Sequence, residues 1–89
     1  MKIKEGFMIK EIAGVWVVVP IGAKATEFMS LASLTETGAL IWKMIEKGAT
    51  KEQIIQAILS EYNIDEETAR NDFDAFIAKA IDKGLLEME

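Results

Sequence analysis

FMSLASLTETGALIW, residues 28–42, starts as a strand and ends as a helix. Met29 to Leu34 alternates apolar with small side chains, the period-2 pattern of a strand. At Thr35 the pattern changes. A cap-forming Thr, an acidic residue and Gly38 lead into Ala39-Leu40-Ile41-Trp42, an apolar run that opens a helix, with Trp42 expected in the core. The stretch holds no phosphate loop, no metal-ligand cluster and no nucleophile with an activating base. It divides the chain into a strand half and a helical half, and the whole fold follows from that division.

Working upstream, Phe7–Ile12 (FMIKEI) and Val15–Pro20 (VWVVVP) flank Ala13-Gly14, a two-residue hairpin connection in which Gly supplies a permissive backbone. Four valines and a Trp favour the pleated surface of a sheet. Val15, Val17 and Val19 share one face, Trp16 and Val18 the other. Apolar side chains on both faces predict a central strand covered on two sides. Pro20, lacking an N–H, ends it. In a meander the third strand, Met29–Leu34, then falls at the edge.

Working downstream, the period is helical. Thr35 or Ser33 caps a first helix, the latter in capping-box spacing with Glu36, and this helix runs to about Glu46 before Lys47-Gly48. Thr50 and Gln53 give a second capping box, followed by KEQIIQAILSEY and a stop at Asn63. Asp65 caps a third helix whose first turn carries Glu66 and Glu67, where the helix dipole favours anions. Ala69, Phe73, Phe76, Ile77, Ala80 and Ile81 recur at helical spacing along it, and Lys83-Gly84 closes it. Leu85 and Leu86 are expected to fold back on the core. The expected architecture is one α+β domain over residues 1–89, winged-helix-like, with an N-terminal three-stranded antiparallel sheet followed by three α-helices.

Composition narrows the function. The chain has 89 residues, 51% of them hydrophobic, and no cysteine or histidine. Disulfides, thiolate zinc sites and Ser–His or Cys–His catalysis are therefore excluded. No run of about 18 apolar residues offers a membrane span, and the N-terminus lacks the apolar core of a signal peptide, so a cytoplasmic protein is expected. The net charge of −5 is uneven: residues 1–34 hold four Lys and three Glu, whereas residues 35–89 hold six basic and twelve acidic side chains. A helical half at −6 repels nucleic acid, which is held by cations on phosphates. The acidic pairs Glu66-Glu67 and Asp72/Asp74 have the residue types for acid–base work or Mg²⁺, but Arg70 lies four residues from both Glu66 and Asp74, which reads as a solvated, ion-paired helix face. No catalytic residue, metal site or cofactor is expected.

The chain resembles the PqqD family, the small peptide chaperones of pyrroloquinoline quinone-type biosynthesis, whose fold is also called the RiPP recognition element. The resemblance is carried by Leu34-Thr35-x-Thr37-Gly38-x-x-Ile41-Trp42 at the strand-to-helix junction, by Thr50, Glu52, Ile54 and Ile55 in the middle, and by Lys83-Gly84-Leu85-Leu86 at the end. Thr35 stands where the family usually has Asn. The resemblance implies a domain that does no chemistry. It implies binding of the leader region of a ribosomally synthesised precursor peptide as an extra strand, and presentation of that peptide to a maturation enzyme, often a radical SAM protein. It places the peptide on the backbones of Met29, Ser30, Leu31, Ala32 and Ser33, and against Ala69, Arg70, Phe73 and Ile77 of the third helix. An edge strand free of Pro and charge fits such use, because unused edges are ordinarily blunted. The alternative is a winged-helix interaction or dimerisation module, since a bare edge also permits self-pairing into a homodimer.

Overall fold

The computed structural model describes residues 1–22 and 32–88. In chain order the elements are β1 (Lys2–Ile3), β2 (Phe7–Ile12), β3 (Val15–Pro20), β4 (Ala32–Leu34), α1 (Glu36–Glu46), α2 (Lys51–Glu61), α3 (Glu66–Asp82) and β5 (Leu86–Glu87). The fold is the expected α+β arrangement, an antiparallel sheet ordered β2-β3-β4 followed by three helices.

The β2–β3 hairpin turns at Ala13 and Gly14, with Ile12 facing Val15. Both turn residues have positive φ, 52° and 81°, the geometry that matches the right-handed twist of the flanking strands. β4 pairs on the other side of β3, with Trp16 opposite Leu34 and Val18 opposite Ala32. Of the third strand expected at Met29–Leu34, its last three residues are seen as β4, while Met29, Ser30 and Leu31 lie outside the described residues.

Two short strands were not anticipated. β1 and β5 form a separate antiparallel pair, Lys2 with Glu87 and Ile3 with Leu86, extended by the Lys4 N–H donating to the Leu85 carbonyl at 3.0 Å. This pairing is how Leu85 and Leu86 return to the core, and both are buried.

The helix caps follow their side chains. Thr35, rather than Ser33, caps α1: its hydroxyl accepts from the Gly38 N–H at 3.0 Å. Thr50 and Gln53 form the reciprocal capping box of α2, and Asp65 accepts from the Thr68 N–H at 2.8 Å to cap α3. The largest fully buried side chains are Trp42, Ile41, Ile54, Ile55, Ile58 and Leu86, so α1 and α2 make the centre of the core. Phe7, Ile9, Val18 and Leu34 close it from one face of the sheet. The opposite face departs from expectation: Met8, Ile12 and Val15 are 42%, 48% and 49% exposed, and no described element covers them. β3 is central in the sheet but buried on one side only. Apolar residues on both faces record strand propensity on the outer side rather than burial.

Candidate functional site

The direction of the backbone groups along β4 follows from the hairpin. In an antiparallel pair, residues alternate between exchanging hydrogen bonds with the partner and pointing them away. The Ile21 N–H donates to the Gly6 carbonyl at 2.8 Å, so the odd-numbered residues of β3 turn their backbone groups toward β2. Trp16 and Val18 therefore bond to β4, which commits Leu34 and Ala32 to β3. Ser33, opposite Val17, turns its N–H and C=O outward, and no described strand lies on that side.

Beside this free edge runs a groove of about 350 Å³, lined by Ser33, Leu34 and Thr35, by the start of α1 at Thr37, Gly38 and Ile41, and by Asp72, Ala75, Phe76 and Lys79 of α3. A smaller cavity of about 30 Å³ continues it, reaching Trp42 and Leu85 and bounded by Lys79, Ala80 and Lys83. Gly38 keeps the groove open where α1 meets α3. A Cβ at this position would lie 3.3 Å from Thr35 Oγ1, closer than side chains ordinarily pack, and would touch Phe76 Cδ2 at 3.4 Å.

The four residues expected to face a ligand from the third helix are placed elsewhere. Ala69 and Phe73 are buried in the core. Ile77 is half-buried against it. Arg70 clamps α3 to α2: its guanidinium holds both oxygens of Glu52, at 2.9 and 2.7 Å, and its Nε donates to Glu66 at 2.9 Å. These bonds raise its already high pKa and hold the Glu52 carboxyl below its ordinary value of 4.5. Asp74 pairs with Lys51 of α2 at 3.3 Å instead of with Arg70. None of the four lines the groove. At about 100° per residue, Ala69, Phe73 and Ala80 mark the core line of α3. Arg70 and Ile77 fall to one side of that line, and Asp72, Phe76, Lys79 and Lys83 to the other.

Apolar periodicity does not separate the two flanks of α3: Phe76 and Ile77 stand on either side of the core line, and their spacing cannot tell which flank meets the groove and which a neighbouring helix. A signal was present in the polar residues. Arg70 stands between acidic residues at both i−4 and i+4, whereas Lys79 has none at either position and only Asp82 at i+3, and Lys83 has none at i−4 and meets Glu87 at i+4 only beyond the end of the helix.

What the site offers is backbone hydrogen bonding at an edge and an apolar wall behind it. Among the described residues no group of three acidic side chains converges to hold a metal ion, and no helix is long and apolar enough to cross a membrane.

Comparison with known proteins places the fold. TbiB1, solved in complex with the TbiA(beta) leader peptide, superposes with a TM-score of 0.80 at 28% identity, covering 100% of this chain and 98% of that one. A lasso peptide synthetase B1, complexed with the leader peptide, superposes with a TM-score of 0.76 at 19% identity over 94% of this chain and 93% of that one, a likeness of fold. Among curated proteins no significant match is found. The sequence profile described as Coenzyme PQQ synthesis protein D matches residues 17–86, from the middle of β3 into β5. With that profile spanning most of the chain, the protein belongs to the PqqD family.

Proposed function

We propose that the protein binds the leader region of a ribosomally synthesised precursor peptide, as a strand added to the open edge of β4, and presents it to a maturation enzyme. Residues 1–89 act as one peptide-binding unit without chemistry of their own, and the family resemblance points to a radical SAM protein or another peptide-modifying enzyme as the partner. The observation that carries this reading is the outward N–H and C=O of Ser33 at the lip of a groove walled by Leu34 and Phe76. Backbone groups supply affinity, and alternate side chains of the added strand enter the groove and supply selectivity. A handful of edge hydrogen bonds, at about 0.5–1.5 kcal/mol net each, together with apolar contact, suits micromolar binding after the cost of ordering the peptide. Similarity to TbiB1, whose structure holds a leader peptide, supports a leader peptide as the ligand.

The test is amide NMR shift mapping during titration with a synthetic leader peptide from a precursor encoded beside the gene. Shifts at Ser33, Phe76 and Lys79 are expected. Shifts confined to the exposed surface of α1 and α2 would rule the reading out. The free edge also suits pairing of two copies, so sedimentation with and without peptide belongs beside the titration: a homodimer held through β4 dissociates when peptide is added.

A further inference from the structure

The groove is electrically polarised. Along its α3 wall Asp72 lines only the larger cavity, with Thr37 and Gly38, Lys83 lines only the smaller one, with Trp42 and Leu85, and Lys79 stands between them and lines both. Among the described residues none of these three charged side chains has an ion-pair partner, whereas on the other side of the same helix Arg70 pairs with Glu52 and Glu66, and Asp74 with Lys51 of α2. The lysine end is a local cationic patch in a half-chain that carries six basic and twelve acidic residues. It also holds an unmet donor. Trp42 lines the small cavity, and its indole N–H is buried with no hydrogen-bond partner among the described residues. The two ammonium groups and the indole N–H are all donors, so the complementary ligand group is an acceptor, and beside two cations a negatively charged one.

We propose that this end of the groove is a subsite for a carboxylate side chain of the bound peptide, held by Lys79 and Lys83. The inference rests on the strand-addition reading above and adds to it a direction and a sequence preference. The lining residues order α3 against β4: Ser33 and Leu34 line both cavities, but Thr35 and Gly38, which follow them in the chain, line only the one that holds Asp72 and not the one that holds Lys83. A strand added antiparallel, as every pair in this sheet is, enters at Asp72 and leaves at Lys83. Its acidic residue therefore lies toward the C-terminal end of the docked segment, and acidic residues are disfavoured at its start by Asp72.

The experiment is a display selection of random dodecapeptides on the immobilised protein. Recovered peptides are sorted by whether they shift the Ser33 amide, and their positional charge is read by sequencing. The selection is repeated on the double variant Lys79→Glu/Lys83→Glu, with a melting curve to establish that these exposed substitutions leave the fold intact. Among Ser33-shifting peptides, Asp and Glu are expected to be enriched in the C-terminal half. The double variant should bind those peptides tenfold or more weakly and select Lys or Arg there instead. Peptides that shift Ser33 but show no acidic bias, or bind both proteins equally, overturn the carboxylate subsite and leave strand addition standing. Failure to recover any peptide that shifts Ser33 overturns both. Should the double variant prove unfolded, the same comparison on Lys79→Gln and Lys83→Gln singly decides it, each expected to weaken binding of the acidic peptides and to leave their neutral Asn/Gln counterparts unaffected.

Discussion

Ala13 adopts φ 52° at the first position of the hairpin turn, a left-handed conformation that costs a non-glycine residue roughly 1 kcal/mol or more. The pair Ala13-Gly14 reads as a turn in sequence, but its strain does not, because Gly satisfies only the second of the two positive-φ positions. Ala13→Asn is expected to stabilise the domain by about 1 kcal/mol, raising Tm by about 4–8 °C, since Asn tolerates this backbone and Asn-Gly is the favoured pair for the turn. A thermal melt checks it, and an unchanged Tm would mean the hairpin relaxes around Ala13 at no cost. Trp42 is the opposite case, because its place beside Ile41 and Ile45 on one helix face already predicts burial and the structure leaves it 0% exposed. Trp42→Ala should cost about 3–5 kcal/mol, a large share of the about 5–15 kcal/mol by which small domains are stable. Denaturant titration measures this, and a midpoint near the parent's would contradict the packing. The unmatched indole N–H is the one feature of Trp42 that sequence could not foretell, because it depends on which neighbours from α3 and the C-terminal segment surround the ring.

Elements whose ends are fixed by their own side chains were legible. Thr50 with Gln53 and Asp65 with the Thr68 N–H set the starts of α2 and α3 through contacts three residues apart. Elements defined by a distant partner were not. β1 and β5 are two residues each and exist only because each pairs with the other across most of the sequence, which no local pattern announces. The facing of β4 belongs to the same class, since it is set by register against β3, and it alters how the edge must be probed. Proline at Ala32 removes a donor directed at Val18, whereas proline at Ser33 removes one directed outward. Ser33→Pro should therefore leave Tm within a few degrees of the parent and weaken leader-peptide binding tenfold or more, about 1.4 kcal/mol. Ala32→Pro should lower Tm markedly before any binding is measured. Calorimetric titration paired with melting curves for both variants checks this, and the reverse pattern would show that β4 is registered one residue away from the observed pairing.

At the scale of the molecule, charge determines what the domain avoids and where it is sensitive. The helical half is acidic overall, and α3 itself carries Glu66, Glu67, Asp72, Asp74 and Asp82. Gel-shift assays at physiological salt should accordingly show no retention of duplex DNA, because the lysines at the groove are too few to displace a counterion atmosphere. The acidic face is also tied together by charge. Arg70 grips Glu52 across the α2–α3 contact and Glu66 along its own helix. Glu52 is held below its ordinary value of 4.5 first by the hydrogen bond to Arg70, with the nearby positive charge of Arg70 and Lys51 adding to it and desolvation opposing it. Asp65 is likewise lowered from 3.8 by hydrogen bonding to Thr68 at the α3 cap. A carboxyl whose folded pKa lies below its unfolded one contributes stability that is complete above the unfolded value and disappears as pH falls through the folded value. For Glu52 that window opens below 4.5. Glu52 is exposed and Arg70 partly so, which means that the contribution is screened and also declines with added salt. Melting curves of the parent and of Glu52→Gln, taken from neutrality to about pH 3, should differ by a constant amount above that window and converge within it. A difference that persists unchanged to the acid end would show that the glutamine variant fails for want of packing rather than of charge, and that Arg70 joins the two helices through its hydrogen bonds alone.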